Sequence, residues 1–243
     1  MYADRTSQAA PTGLRTTPVP GQWLPPEGPL PSLMAQEYLP FTVRIARDAP
    51  ALNKAVDIRH EAYARHLAPE LAAALREPEP MDHAPGVAVL LAESKLDGTP
   101  LGTMRIQTNS HRPLALEQSI RLPAWMDGKG LAEASRLGIT HERVGRMVKT
   151  VLFKAYYLFC LQNDVRYMVI TARSPIDRQY DRLLFKDVFP GLGFVPLEHV
   201  FNLPHRIMYL DVQAAQKQWD EAEHPLLDYM CHTHHPDLRL GRL

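Results

Sequence analysis

The run from Gly130 to Arg173, GLAEASRLGITHERVGRMVKTVLFKAYYLFCLQNDVRYMVITAR, constrains the fold more than any other part of the chain. It reads as a strand, a polar turn, an amphipathic helix and a second strand. Two strands joined through one packed helix lie parallel, because only a long crossover can return the chain to the same end of a sheet. The helix spans about 143 to 162, with Val144, Val148, Val151, Leu152, Ala155 and Phe159 forming its inward stripe. The turn that leads into it is unusually basic.

Alternation marks further strands beginning at Phe41, Val87 and Leu101 and two more over 194–201 and 207–212, and Asp97-Gly98 is a hairpin signal between the second and third. Helical spacing covers about 51 to 66, 70 to 75, 175 to 188 and 214 to 223, with one more helix near 114 to 120. An antiparallel start joined to a parallel pair is an α/β fold with a mixed central sheet. The expected organisation is a Pro-rich arm over 1–40, partly disordered, a domain over 41–213, and a helix with a His-rich tail over 214–243. Eight prolines in the first forty residues remove backbone donors and fix φ, which opposes ladders and long helices there.

Lys+Arg and Asp+Glu both total 27 in 243 residues, so no global field favours nucleic acid. Two distant cysteines without a CxxC, and a polar start without an apolar core, suit a cytoplasmic setting. The most apolar run, 151 to 161, contains Lys154 and is too short to span a bilayer, so no integral membrane segment is expected. No Walker loop, GxSxG or Ser-His-Asp pattern is present. Cys231, His232, His234 and His235 are packed too tightly to wrap one tetrahedral ion, so no metal site is expected.

Glu133 and Arg136 are three apart on a predicted strand, which places them on opposite faces unless a bulge re-aims one of them. Ala132, Ala134 and Ser135 are small enough to permit a bulge; the alternative is two unrelated charges at a strand end. Arg143, Arg146 and Lys149 crowd the start of the helix although its dipole favours negative charge there. With Gly145 allowing close backbone approach, they suggest an anion or acidic partner at that end, against the plainer reading of a solvated face. Arg59 and Tyr63 share a helix face, and Glu79 and Asp82 follow in a Pro-rich loop. Arg105 lies within a strand as a potential partner for those acids.

Taken in order, these residues resemble the GCN5-related N-acyltransferase fold, with its splayed parallel strands. Within it they are similar to autoinducer (acyl-homoserine-lactone) synthases and FeeM-type N-acyl amino acid synthases, over about 41 to 212. The matching pieces are Arg59-x-x-x-Tyr63, Glu79-x-x-Asp82, Gly102-x-x-Arg105 and Glu133-Ala-Ser135-Arg136. The phosphate loop of small-acyl acetyltransferases is reduced to Arg143-Val-Gly145-Arg146, and no Trp lies between Tyr63 and Glu79, where homoserine-lactone synthases usually carry one. The first departure argues against a small-acyl, acetyl-CoA-dependent mode, and the second favours the amino-acid branch.

The resemblance implies transfer of a long fatty acyl group from an acyl carrier protein thioester, or from acyl-CoA, to an amine, without a tightly bound cofactor. Glu133 is then the expected base, working with Arg136. Backbone N–H groups near Leu137 and Gly138 would meet the oxyanion, and Arg59, Tyr63, Glu79, Asp82 and Arg105 would surround the amine substrate. The phosphopantetheine arm would enter near Val169 and Ile170, and Arg143, Gly145, Arg146 and Lys149 would face the acidic carrier protein. A CoA-dependent acetyltransferase, an autoinducer synthase and a silent acyl-binding module are the alternatives.

Overall fold

The computed structural model describes residues 34–241, so most of the expected Pro-rich arm lies outside the described residues. The chain enters through β1 (Ala35–Gln36) and β2 (Phe41–Ile45), then forms α1 (Ala49–Ala64) and the short α2 (Pro69–Ala73). A hairpin of β3 (Val87–Ser94) and β4 (Pro100–Thr108) precedes β5 (Leu131–Ile139), α3 (Gly145–Gln162) and β6 (Tyr167–Ala172). Next come α4 (Asp177–Arg182), β7 (Lys186–Asp187), β8 (Val195–Leu197), β9 (Leu203–Asp211) and α5 (Val212–Glu221), with β10 (Thr233–His234) and β11 (Leu238–Arg239) in the tail.

The main sheet runs β11–β2–β3–β4–β5–β6–β9–β7, with β8 also paired to β9. Neighbours are antiparallel except β5 with β6 and β11 with β2. This is the expected mixed sheet, with α3 as the crossover between its parallel central strands. The inward face of α3 is fully buried through Val148, Val151, Leu152, Ala155 and Phe159, packed against Leu90, Ile106, Ala132 and Met168 of the sheet. On the opposite face, α1 covers β3 to β5. Asp48 caps α1 by accepting from the Ala51 N–H at 2.8 Å.

Two expected elements are shorter than their sequence patterns. The helix expected over 175–188 stops at Arg182 because tertiary contacts outcompete its last turns. Arg206 of β9 gathers Asp177, Asp181 and Asp187 at 3.0 Å each, and Leu184 turns left-handed at φ 64°. Phe185 is thereby swung into the core. The strand expected over 194–201 ends at Leu197 and gives way to one 3₁₀ turn, Glu198–Val200, closed by Phe201 and Asn202 at φ 62° and 55°.

The tail packs on the domain. Lys154, at the centre of α3 and buried, donates to the carbonyls of Tyr229 and Thr233 and to Nδ1 of His235. Burial lowers its ammonium pKa to about 8. β10 pairs in parallel with β1, within the segment expected to belong to the arm. His235 is thus held by Lys154, and His232 by Asp228.

Gly138 shows how closely α1 approaches the sheet. A Cβ built there would lie 2.8 Å from the Arg59 Cα, a backbone atom that cannot move independently. Gly138→Ala is therefore expected to lower stability by about 1–3 kcal/mol through overpacking. Urea unfolding, with the slope unchanged, is the measurement.

Candidate active site

β5 carries the bulge that Glu133 and Arg136 need in order to share a site. Its register against β4 shifts between Thr103–Gly138 and Arg105–Ser135, so Arg136 and Leu137 together oppose Met104. Arg136 takes φ 53°, a left-handed conformation that costs a non-glycine residue energy and marks a bulge held by its surroundings. The extra residue keeps Arg136 on the face that already carries Glu133, Ser135 and Arg105.

The same strand parts from its parallel neighbour. β5 and β6 pair from Leu131–Tyr167 to Ala134–Ile170 and no further, although β5 continues to Ile139. The Tyr156 hydroxyl of α3 bridges them near this point, donating to the Ala132 carbonyl and accepting from the Val169 N–H at 3.1 Å. Burial holds that phenol protonated, with its pKa well above the ordinary value.

A cluster of buried charges flanks the bulge. Arg136 makes a bidentate pair with Glu79, Nε to Oε2 and Nη2 to Oε1, both at 2.7 Å. Arg105 Nη1 reaches Glu79 at 2.9 Å and Asp82 at 3.2 Å. Arg59 holds Asp82 with both terminal nitrogens, at 3.1 and 3.0 Å. The Asp82 carboxylate also accepts from the Glu79 N–H at 2.8 Å, which closes the 3₁₀ turn Pro80–His83 as a capping box. Burial raises the phenol pKa of the adjacent Tyr63, and the positive field of Arg136, Arg105 and Arg59 offsets only part of that rise. Burial together with the Arg136 charge lowers Arg105.

Glu133 is 1% exposed. Its Oε2 accepts from the Leu116 N–H at 3.1 Å, and its Oε1 lies 2.9 Å from Nε2 of His199. That histidine sits on the unforeseen turn after β8. Its carbonyl accepts from Arg136 Nη1 at 3.3 Å, and Nε2 is 3.4 Å from the Thr171 hydroxyl, one residue past the end of β5–β6 pairing. Glu133 and Arg136 therefore meet in one site through His199 rather than by touching. A reading that extends a strand through 201 gives His199 no special place, and no motif in the sequence singles it out.

Several expected positions have structural surroundings of their own. Val169 and Ile170 are buried within the paired part of the strands, so the opening begins at Thr171, where the ladder has ended. Gly138 pairs with Thr103 and serves the approach of α1; Leu137, inside the bulge, packs against the core. Gly145 makes room for its own strand-to-helix turn, since a Cβ would meet the Thr140 carbonyl at 2.4 Å. Arg143 and Arg146 are exposed before and within the first turn of α3, which holds no acidic residue. Lys149 is half-buried and donates to the Gln179 side chain at 2.5 Å, so it is less free than its neighbours.

The cluster gives stability a defined acid limb. Burial raises the Glu79 carboxyl, but Arg136, then Arg105 and Arg59, overcome that and bring it down to about 2. A carboxyl lowered on folding stabilises above its unfolded value near 4.5 and loses that contribution as pH falls towards 2. Urea titrations of Glu79→Gln against the native protein are expected to show a deficit of about 3 kcal/mol at pH 7. The deficit shrinks steadily below about pH 4.5.

Comparison with known proteins agrees with this architecture. A search of curated proteins by sequence gives no match. The structure of FeeM, an N-acyl amino acid synthase from uncultured soil microbes, superposes with a TM-score of 0.60 at 21% identity, covering 73% of this chain and 94% of that one. The AHL synthase LasI gives 0.51 at 17% over 72% and 93%, and BjaI, a CoA-dependent acyl-homoserine lactone synthase, gives 0.53 at 16% over 82% and 95%. The sequence profile described as N-acyl amino acid synthase FeeM matches residues 54–196, more than half of the chain and all of the charged cluster. The chain belongs to the FeeM N-acyl amino acid synthase family of acyltransferases.

Proposed function

We propose that this acyltransferase moves a long-chain fatty acyl group from acyl carrier protein to the α-amine of an amino acid. The carrying observation is the parting of β5 and β6 immediately beyond the buried Glu133. A strand whose edge is released from its neighbour offers backbone groups to an extended amide-bearing arm, and phosphopantetheine is such an arm. The thioester would then lie beside the bulge, where the Leu137 N–H is the nearest candidate to meet the developing oxyanion. Glu133 drives removal of the amine proton.

The charge count of the cluster supports an amino acid as acceptor. Among the described residues Arg59, Arg105 and Arg136 pair with the two carboxylates of Glu79 and Asp82, which leaves this part of the site one positive charge in excess, while the third carboxylate, Glu133, lies on the His199 side. A substrate α-carboxylate complements that excess, whereas a simple amine does not. Tyr63 of α1 lies in the same positive field.

Acidic carrier protein fits the uncapped, basic start of α3, through Arg143 and Arg146 with the exposed Met147 next in the chain. A CoA donor is the alternative for the same opening. Among the described residues no helix is long and apolar enough to cross a membrane. A cytoplasmic enzyme releasing its lipophilic product to a membrane surface is consistent with this reading.

Glu133→Gln is expected to lower kcat by about 100-fold or more with acyl carrier substrate, measured as N-acyl product by mass spectrometry. Undiminished turnover would remove Glu133 from the chemistry. Arg143→Glu with Arg146→Glu is expected to raise KM for the acylated carrier at least several-fold while sparing turnover of a short acyl-pantetheine thioester. A change confined to kcat would assign those arginines elsewhere.

A further inference from the structure

We infer that His199 is the immediate acceptor of the amine proton, held for that task by Glu133; the inference rests on the N-acyltransferase reading above. Glu133 Oε1 lies 2.9 Å from Nε2 of His199 and is itself buried without a hydrogen bond in the resting geometry, so the nearby carboxylate charge favours a proton on Nε2. In the neutral ring that tautomer leaves Nδ1 as a bare lone pair. It is buried and meets no hydrogen-bond partner among the described residues, in a side chain only 5% exposed. Buried acceptors of this kind are rare in folded proteins and call for a function.

The backbone around His199 is built to hold it there. The Glu198 N–H donates to the Ser119 hydroxyl at 2.8 Å, and Leu197 is fully buried. Two successive left-handed residues, Phe201 and Asn202, turn the chain back, and the Phe201 ring lies over the Arg136 guanidinium at 5.5 Å. Strain of this sort persists where neighbours over-determine a conformation, and it clusters at functional sites. The side of the opening is set by Thr171 and the bulge, both within reach of the same turn. Of the other titratable groups nearby, His205 is lowered chiefly by burial, which its hydrogen bond to the Leu203 carbonyl only partly offsets.

In the reaction the amine enters uncharged, and its lone pair forms the C–N bond as the thioester C=O electrons move to oxygen. The proton on the nitrogen, now cationic, passes to Nδ1 of His199. Glu133 stabilises the resulting imidazolium. The C–S bond then breaks as the carbonyl re-forms, and the departing thiolate takes the proton from Nδ1. Amide and thiol leave, and His199 is neutral again. Glu133 thus orients and charges the base, as a carboxylate does behind the histidine of other acyl-transfer sites.

Two measurements on the full chain decide this. Long-range ¹H–¹⁵N spectra of the substrate-free protein are expected to show the Nε2–H tautomer at His199, converting to mixed tautomers in Glu133→Gln. An Nδ1–H tautomer in the native protein overturns the inference. His199→Ala and His199→Gln, checked for a native melting profile, are expected to lose about 100-fold or more in kcat with little change in acyl-donor KM. Added imidazole is expected to restore part of the rate in the alanine variant. Retention of more than about a tenth of the rate in His199→Gln, or a loss that imidazole does not relieve, overturns the role. If the native protein forms no N-acyl product with any donor and amine, the functional reading fails, and the tautomer still reports whether Glu133 holds His199 as described.

Discussion

The pairing of Glu79 with three arginines is the interaction on which the rest of the site depends. Arg59 comes from α1, Arg105 from β4 and Arg136 from the bulge of β5, and one carboxylate on a Pro-rich turn reaches all three. A buried guanidinium without a partner is strongly destabilising, so each arginine requires the element that carries Glu79 and Asp82 to be in place. The bidentate geometry with Arg136 also stabilises a left-handed residue that would otherwise relax into a regular strand. Local strain at the bulge and the global placement of α1 are thereby tied to the same few oxygens.

α3 supports this arrangement from the other face of the sheet. Tyr156 spans the last paired rungs of β5 and β6, next to the point where the strands separate. Two residues earlier, Lys154 holds the C-terminal tail, which in turn pairs β10 with β1. One helix therefore braces the opening and fastens the chain's last segment. The cost of burying the Lys154 charge appears as its lowered pKa and is offset by donation to two carbonyls and a histidine.

The loop after β8 closes the opening from the side of β9. Its 3₁₀ turn places one histidine between the buried carboxylate of β5 and the hydroxyl of β6. The site is consequently assembled from six separate stretches: α1, the acidic turn, β4, the bulge, the end of β6 and this loop. None of them touches the others in sequence.

Much was legible without coordinates, because hydrophobic period and turn chemistry are local. The βαβ unit, the hairpin at Asp97-Gly98 and the long buried face of α3 followed from hydrophobic period and turn chemistry, and alternation made a bulge the condition for Glu133 and Arg136 to share a site. The charged residues of the four motifs were also identifiable as a set. What only the tertiary structure decided was partnership. Glu79 rather than Glu133 holds Arg136, Gly138 and Gly145 make room for backbone, and Val169 and Ile170 belong to the closed part of the sheet. His199 was invisible for a physical reason: its position depends on Arg136 and on two left-handed residues at 201 and 202, and a strand period cannot register either. Sequence determined which elements form and which charges must find partners; long-range packing decided which partner each found, because several acids and arginines compete for one buried space.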